Sequence, residues 1–458
     1  MRRLEVDSMR EIILDILVKI DSSQGYINIL INNALKKNNI SRRDAAFIQE
    51  ITYGVVRNRM KIDWVISSFT SQKINKMQFL IRNIIRMGVY QILHLNKIPD
   101  YAVCNEAVQL AKKYGNVKSA NFVNAILRNI IRQKKEIIWP DQKKEPVLYL
   151  SIIYSHPRWI IERWIKKFGF KDTLKICIAN NTIPPLTVRT NLLKIKRSEL
   201  KKQLEEKKLS VDIGSFTEEA LYIKGITNVS ENFAFIHGLF QVQDESSILV
   251  SHLLNPLPGE FVMDICSAPG GKTTHIAQLM NNGGVIITMD ISNKKLKTID
   301  ANCRRLGIDI VKILQHDATR IKKEYLDKAD KVLVDAPCSC LGILRRKPDI
   351  KFRVFNKKRM LQLSKLQQDI LSASSKYIKK GGILVYSTCS TEMEENEEVV
   401  WEFLKRNHNF RLENLKEFNE KMNLPVNILN EYGFIKIYPG ISHSRLDGFF
   451  MARMIKKE

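Results

Sequence analysis

Residues 261–273 read FVMDICSAPGGKT, and they set the fold class of everything around them. A short apolar run ends at Asp264-Ile-Cys. Two adjacent glycines, Gly270 and Gly271, then let the backbone approach a ligand closely, and the amphipathic KTTHIAQLM begins a helix whose first turn offers free N–H groups. The same strand-then-helix grammar repeats downstream. GVIITMD (284–290) precedes a Lys-rich helix, and VKILQHD (311–317) and KVLVDAP (331–337) follow. A long helical pattern over 361–378 then leads into GILVYST (382–388). Repeated βα units predict a doubly wound, mostly parallel sheet, so residues 236–458 are assigned to an α/β, Rossmann-like domain.

Upstream the grammar changes. Residues 141–235 mix a helix-like HPRWIIERWIKKF, an extended PPLTVRTN, the basic KIKRSELKKQLEEKKL and two strand-like pieces, ALYIKG and FAFIHG. This predicts a small α+β module. The first 140 residues read as helix after helix, with apolar residues at three and four spacing in Ile12, Ile13, Ile16, Leu17 and in Ile81, Ile84, Ile85, Val89. QKKEIIWPDQKKEP, charged and bounded by proline, separates the two regions. The expectation is therefore a multidomain chain: an all-α N-terminal domain (1–140), a small α+β middle module (141–235) and the α/β domain (236–458).

The 458 residues carry 74 Lys and Arg against 48 Asp and Glu, a formal charge of +26. The excess is +12 in residues 1–150, +6 in 151–235 and +8 in 236–458, so it is spread along the chain and heaviest in the helical part. A polyanion such as nucleic acid fits that balance. Abundant Lys, Asn and Ile also match what an AT-rich genome produces without any functional demand. Seven cysteines, odd in number and without a CxxC pair, argue against a disulfide framework and a zinc module. At the N-terminus, Asp7, Glu11 and Asp15 interrupt any apolar signal region, and no stretch is long enough to span a bilayer. The expected location is the cytoplasm, with no membrane partner, no metal and a monomeric state.

Ligands of open α/β sheets sit at the carboxyl ends of the strands. The residues at those ends are Asp264 with the loop Cys266, Ser267, Ala268, Pro269, Gly270, Gly271 and Lys272, then Asp290, Asp317, Asp335 with Cys338, and Cys389. A P-loop requires Gly where Cys266 stands, and G-x-G-x-x-G is absent. Asp290, 26 residues after Asp264, is placed to hold ribose hydroxyls. Several carboxylates would repel a polyphosphate, so an adenosyl cofactor without phosphates fits the loop better. Each cysteine alone is more often a buried structural thiol than a nucleophile. Two on one rim beside a cofactor loop suggest chemistry. C5 of cytosine is a poor nucleophile toward a methyl sulfonium, but addition of a thiolate at C6 makes C5 enamine-like, and a base must later remove the C5 proton.

DICSAPGGKT, DAPCSCLGILRRKPDIK and YSTCSTEMEENE resemble the cofactor and two cysteine motifs of the RNA cytosine-C5 methyltransferases. RRDAAFIQEITYGVVRNRMKIDW, IRNIIRMGVYQILHL, NEAVQLAKK and FVNAILRNI are similar to the antitermination-factor-like RNA-binding domain of one bacterial branch, which methylates 16S ribosomal RNA at the position-967 type of site. PPLTVRTN, HGLFQVQDESS and DGFFMARM also resemble that branch, so the likeness covers nearly the whole chain. It implies S-adenosyl-L-methionine as cofactor, 16S ribosomal RNA as partner, Cys389 as nucleophile and Cys338 as the residue assisting elimination. The cofactor falls to residues 266–272 with Asp290, Asp317 and Asp335. Lys272 also has a structural role open to it, at the helix start.

Three departures from that pattern stand out. Ser267 replaces an alanine; Cys340 and Leu341 replace an alanine and a threonine; Met393 replaces a proline. Cys338 keeps its place after Asp-Ala-Pro, so Cys340 is read as packing. Thr391 and Glu394 are expected to form a capping box, and the acids of EENEE to lie in a helix's first turn rather than on a metal. Arg345, Arg346 and Lys347 suit either a phosphate contact or a solvated turn. Cys104, Cys177 and Cys303 fall in helical patterns as ordinary thiols. The competing readings are a non-catalytic RNA-binding assembly or antitermination factor, and a cytosine-C5 methyltransferase acting on another ribosomal RNA site or on transfer RNA.

Overall fold

The computed structural model describes residues 8–37, 40–226, 228–353, 357–443 and 445–457; Asp7 of the N-terminal reading lies outside them. The chain forms two compact units, residues 1–183 with 344–353, and residues 184–343 with 354–458.

The first unit is helical. Helices Ser8–Asp21, Arg42–Arg57, Phe79–His94, Asp100–Tyr114 and Val117–Gln133 supply most of one apolar core containing Ile13, Ile16, Ile51, Ile84, Ile85, Val123 and Leu127. These positions recur at the three and four spacing seen in the sequence, and at ~25 cal/mol per Å² such stripes bury enough surface to hold a bundle. Within it Asp21 is buried against three guanidinium groups: Arg59 at 2.8 Å, Arg86 at 3.1 Å and Arg82. Two further helices, Pro146–Ile153 and Arg158–Asn181, belong to this unit, the second kinked at Gly169, whose φ is 73°. The sequence groups them instead with the middle module. The segment after the first cysteine motif also packs here. Arg345 is buried with its carbonyl accepting from Arg57 at 3.4 Å, and Lys351 donates to Asn181 at 2.8 Å, so Arg345 is no solvated turn residue.

The second unit contains two sheets. Strands β1 (Leu186–Thr190), β2 (Ser210–Ile213), β3 (Ala220–Lys224) and β4 (Phe240–Val242) form an antiparallel sheet in the order β2-β3-β1-β4, covered by helix Arg197–Glu206. FAFIHG is not a strand: Phe233–Ile236 is a helical turn, because Asn232 accepts from the N–H groups of Ala234 and Phe235 and caps it.

The larger sheet is built from β5 (Phe261–Ile265), β6 (Val285–Asp290), β7 (Val311–Gln315), β8 (Ala329–Asp335), β9 (Ile378–Thr388), β10 (Phe410–Leu412), β11 (Ile435–Ile437) and β12 (Phe449–Lys456). Its order is β10-β12-β9-β8-β5-β6-β7, with β11 on β12. Strands β5 to β9 pair in parallel and β12 joins antiparallel. The chain runs outward from β5 to β7, then returns to β8 on the other side, which makes the β5/β8 boundary the topological switch point where such sheets bind ligands.

Candidate active site

All four sequence-predicted aspartates and both cysteines of the predicted pair lie at, or just beyond, the carboxyl ends of β5, β6, β7, β8 and β9. After β5 the loop turns sharply: Cys266 has φ 61° and Gly270 has φ 93°. Gly270 suits this left-handed conformation, and a Cβ there would also press on Ile299 at 3.2 Å. Ser267 N–H and Oγ both donate to the Met289 carbonyl at 3.1 Å, fastening the loop to β6. That hydroxyl is a contact an alanine would lack. Helix Gly271–Leu279 starts here.

Asp264 is fully buried. It accepts from Thr273 Oγ1 at 2.6 Å on one oxygen, while its other oxygen has no protein partner. Burial pushes its carboxyl up to about 7. Burial, then the negative charges of Asp290, Asp335 and Asp264, pushes the Cys266 thiol up, which reports three carboxylates around this one loop. Asp290 is buried and accepts from Ser292 N–H at 2.9 Å. Asp317 stands apart from this group, partly exposed, and is held by Thr319 N–H at 3.0 Å and Thr319 Oγ1 at 2.7 Å; those bonds keep its carboxyl below the usual range.

Lys272, at the start of this helix, turns its side chain to Asp335. Its Nζ lies 2.7 Å from Asp335 Oδ2 and 5.1 Å from the centroid of the Phe449 ring. The other Asp335 oxygen accepts from Ser387 Oγ at 2.9 Å, which fixes the carboxylate between β8 and β9.

Cys338 Sγ and Cys389 Sγ are 3.3 Å apart, although 51 residues separate them in the chain. Both thiols are held above their ordinary range. For Cys338 the bonds to Cys340 and Cys389 act first and burial adds to them. For Cys389 the bond from Cys338 lowers it, and the bond to Cys340, burial and the negative Asp335 outweigh that. Cys340, read from sequence as packing, has its Sγ 3.7 Å from the Cys338 carbonyl oxygen.

What holds the two cysteine loops together was not legible as such. Glu395 is fully buried, accepts from Ser339 N–H at 2.7 Å and from Gln367 Nε2 at 3.1 Å, and takes the hydroxyls of both Ser339 and Ser390. Ser339 and Ser390 are the residues immediately after Cys338 and Cys389. One carboxylate thus anchors both loops. Sequence placed Glu395 among helix-start acids; only Glu397 and Glu398 occupy the first turn of helix Glu397–Arg406. The expected capping box does not form either, since Thr391 Oγ1 donates to Glu392 at 3.2 Å and the residues capping this helix and the preceding 3-10 turn make no side-chain cap. Gly342 completes the frame. Its N–H donates to the Cys389 carbonyl at 2.9 Å and its own carbonyl accepts from Gly448 N–H at 2.9 Å.

Arg189, inside PPLTVRTN, was also missed. It is buried on β1, donates to the Gly271 carbonyl at 2.7 Å and to Thr274 Oγ1 at 3.0 Å, and bonds Gln243, so the smaller sheet braces the start of the cofactor-loop helix. Burial lowers its guanidinium to about 9. A buried arginine gives no signal of its partners in a one-dimensional pattern.

This loop suits an adenosyl group carrying a sulfonium. It offers a close glycine backbone, a buried carboxylate oxygen without a protein partner, and three carboxylates against one lysine that is already paired with Asp335, a balance that disfavours a phosphate.

Comparison with known proteins gives the same picture over the full length. Residues 251–455 match the 16S rRNA methyltransferase RsmB/F family, residues 7–132 the NusB family, and residues 156–230 the RsmF/B-like ferredoxin-like domain. The "Probable ribosomal RNA small subunit methyltransferase B" of Bacillus subtilis is 36% identical, covering 98% of this chain and 99% of the relative. The ribosomal RNA small subunit methyltransferase B of an Enterobacter species is 31% identical over 96% of each. Among solved structures, PH0851 aligns with a TM-score of 0.83 at 28% identity, covering 99% of this chain and 100% of that one. A methyltransferase homolog protein from Pyrococcus horikoshii aligns at 0.59 and 28%, over 68% of this chain and 99% of its own.

Proposed function

The chain belongs to the 16S rRNA methyltransferase RsmB/F family, and on that premise we propose that it methylates C5 of one cytosine in 16S ribosomal RNA, at the position-967 type of site, with Cys389 as nucleophile. The observation that carries the mechanism is the thiol pair: two sulfurs 3.3 Å apart at the ends of neighbouring strands, beside the Lys272–Asp335 pair.

S-adenosyl-L-methionine supplies an electrophilic methyl group when bound. Residues 266–272, with Asp290, Asp317 and Asp335, are the groups that hold it, the carboxylates taking hydroxyl and cationic parts of a ligand that has no phosphate. Asp335 also faces the target base. Cys389 Sγ, as thiolate, adds to C6 of cytosine; the ring electrons then reach C5, which takes the methyl group. Cys338 as thiolate, directly or through a water, takes the C5 proton next; the C–H electron pair re-forms the C5–C6 double bond and the C–S bond breaks, returning its electron pair to Cys389. Cys338, within hydrogen-bonding distance of that sulfur, assists this elimination. The helical residues 1–140 and the module at 141–235 carry the positive excess suited to docking the RNA. No helix among the described residues is long and apolar enough to cross a membrane, which suits work on ribosomal RNA in the cytoplasm.

Mapping 5-methylcytosine in 16S ribosomal RNA incubated with the protein tests the target. Cys389→Ala is expected to abolish transfer and Cys338→Ala to accumulate a covalent protein–RNA adduct. Full activity in Cys389→Ala overturns the mechanism. Loss of S-adenosylmethionine binding in calorimetry, with RNA binding retained, would favour a non-catalytic assembly factor.

A further inference from the structure

Three thiols converge where the reaction above uses two. Cys340 adopts φ 61°, which folds the loop back on itself, and the Sγ atoms of Cys338, Cys340 and Cys389 all lie within 4.8 Å of one another. Around a tetrahedral zinc ion with Zn–S bonds of about 2.3 Å, sulfurs stand about 3.8 Å apart. Cys338 and Cys389 stand 3.3 Å apart and no pair of the three exceeds 4.8 Å, so small side-chain rotations close the set. The frame is already rigid, because Glu395 and Gly342 fix both loops. We infer that Cys338, Cys340 and Cys389 form a binding site for one soft divalent cation of the zinc type, whose occupation silences the thiol pair.

Three sulfur donors select a thiophilic ion over magnesium or calcium, which take oxygen. Each ligating thiol releases its proton to solvent as the metal binds, and the fourth tetrahedral position is left for water. A Cys389 lone pair committed to the metal cannot add to C6. That inhibitory consequence rests on the function proposed above, while the metal site itself rests on sulfur geometry alone. No CxxC spacing announces it, since the ligands come from two loops 51 residues apart.

A second ligand-like cluster, Glu219 with His252 and His275, is closed differently. Its N···O separations of 2.8 and 2.6 Å are hydrogen-bond lengths, shorter than the roughly 3.3 Å between neighbouring ligands on one zinc ion. At these lengths the groups touch one another directly, His252 Nε2 hydrogen-bonding to Glu219, rather than standing apart around an ion.

Titrating the reduced, metal-stripped protein with Co²⁺ tests the inference. A sulfur-to-cobalt charge-transfer band should saturate at one equivalent and be displaced by Zn²⁺. Cys340→Ala and the near-isosteric Cys340→Ser, each checked for an unchanged thermal melt, should weaken cobalt binding at least about 10-fold, since loss of even a residue supporting a ligand costs that much. Cys303→Ala should leave binding intact. Zinc should inhibit methyl transfer by the unmodified protein at a concentration about 10-fold below that needed for Cys340→Ser, each measured against its own zinc-free rate. Absence of the band, or a band unchanged in both Cys340 variants, overturns the site. Metal binding lost in His252→Ala instead assigns the ion to the other cluster and also overturns it. A normal band in a protein that transfers no methyl group without zinc leaves the site standing and fails the proposed function.

Discussion

The backbone N–H of Ser339 donates to the carboxylate of Glu395 at 2.7 Å across 56 residues of chain, and the same carboxylate takes the hydroxyl of Ser390. The residues that follow the two site cysteines therefore hang from one buried acid. The 3.3 Å approach of the sulfurs is a property of that anchor as much as of the cysteines themselves.

Removing the anchor in Glu395→Ala leaves the Ser339 N–H and one of the two serine hydroxyls without an acceptor in a dry environment, while Gln367 keeps the Pro337 carbonyl and the hydroxyls keep each other; we expect a stability loss of about 2–4 kcal/mol, read from the denaturant midpoint. Glu395→Gln keeps the shape but turns one accepting oxygen into a donor. Its midpoint should fall less, while its methyl transfer falls at least about 10-fold with KM for S-adenosylmethionine little changed. Equal losses in both parameters would contradict a role in positioning the cysteine loops.

Arg189 forks onto the Gly271 carbonyl and Thr274 from β1. Lysine lacks the second arm of that fork. Arg189→Lys should cost about 1–3 kcal/mol of stability. It should also weaken S-adenosylmethionine binding in calorimetry if the loop whose helix start it braces holds the cofactor as proposed. Unchanged affinity would detach the smaller sheet from cofactor binding.

A Cβ at Gly342 would meet the Gly448 carbonyl oxygen at 2.2 Å and the Cys389 carbonyl oxygen at 2.8 Å. All are backbone atoms, so the loops must separate. Displacement of a reacting group by about 1 Å costs roughly 100-fold in rate. Gly342→Ala is expected to lose methyl transfer on that scale while still binding cofactor, and an active Gly342→Ala enzyme would contradict the close approach.

The Asp21 carboxyl in the helical unit lies below its ordinary 3.8: burial raises it, and Arg86, Arg59 and Arg82 together outweigh that. A folded value below the unfolded one means the unfolded chain takes up the proton first. The stability it contributes is present above about pH 4 and is lost as pH falls through the folded value. Melts between about pH 6 and pH 3 should show this loss, reduced in Asp21→Asn. At neutral pH that variant should be about 3 kcal/mol less stable, because Arg82 and Arg59 lose their carboxylate while Arg86 keeps its pair with Asp63. A wild-type melting temperature that stays flat on acidification would count against the network.

Much of the fold was legible in the order of local signals. The run from FVMDIC to GILVYST alternates apolar strand and amphipathic helix, and five parallel strands stand where those runs lie. Strand ends can be read from sequence, so Asp264, Asp290, Asp335, Cys338 and Cys389 could all be placed on one rim. FAFIHG misled because its apolar residues look like a strand when the capping by Asn232 is ignored. EENEE misled because acidity predicts solvent or a helix dipole, and Glu395 is instead buried under four donors.

By itself the sequence determined the class of each unit and the rim on which chemistry is placed, since periodicity, glycines and strand-end residues act within a few residues of themselves. Only the tertiary structure decided how FVMDICSAPGGKT is completed: Arg189 braces its helix, Lys272 turns to Asp335, and Glu395 sets two distant thiols, with Cys340 beside them, on one spot. Those are pairings across the chain, chosen by burial and hydrogen-bond satisfaction in three dimensions, and no pattern local in sequence encodes them.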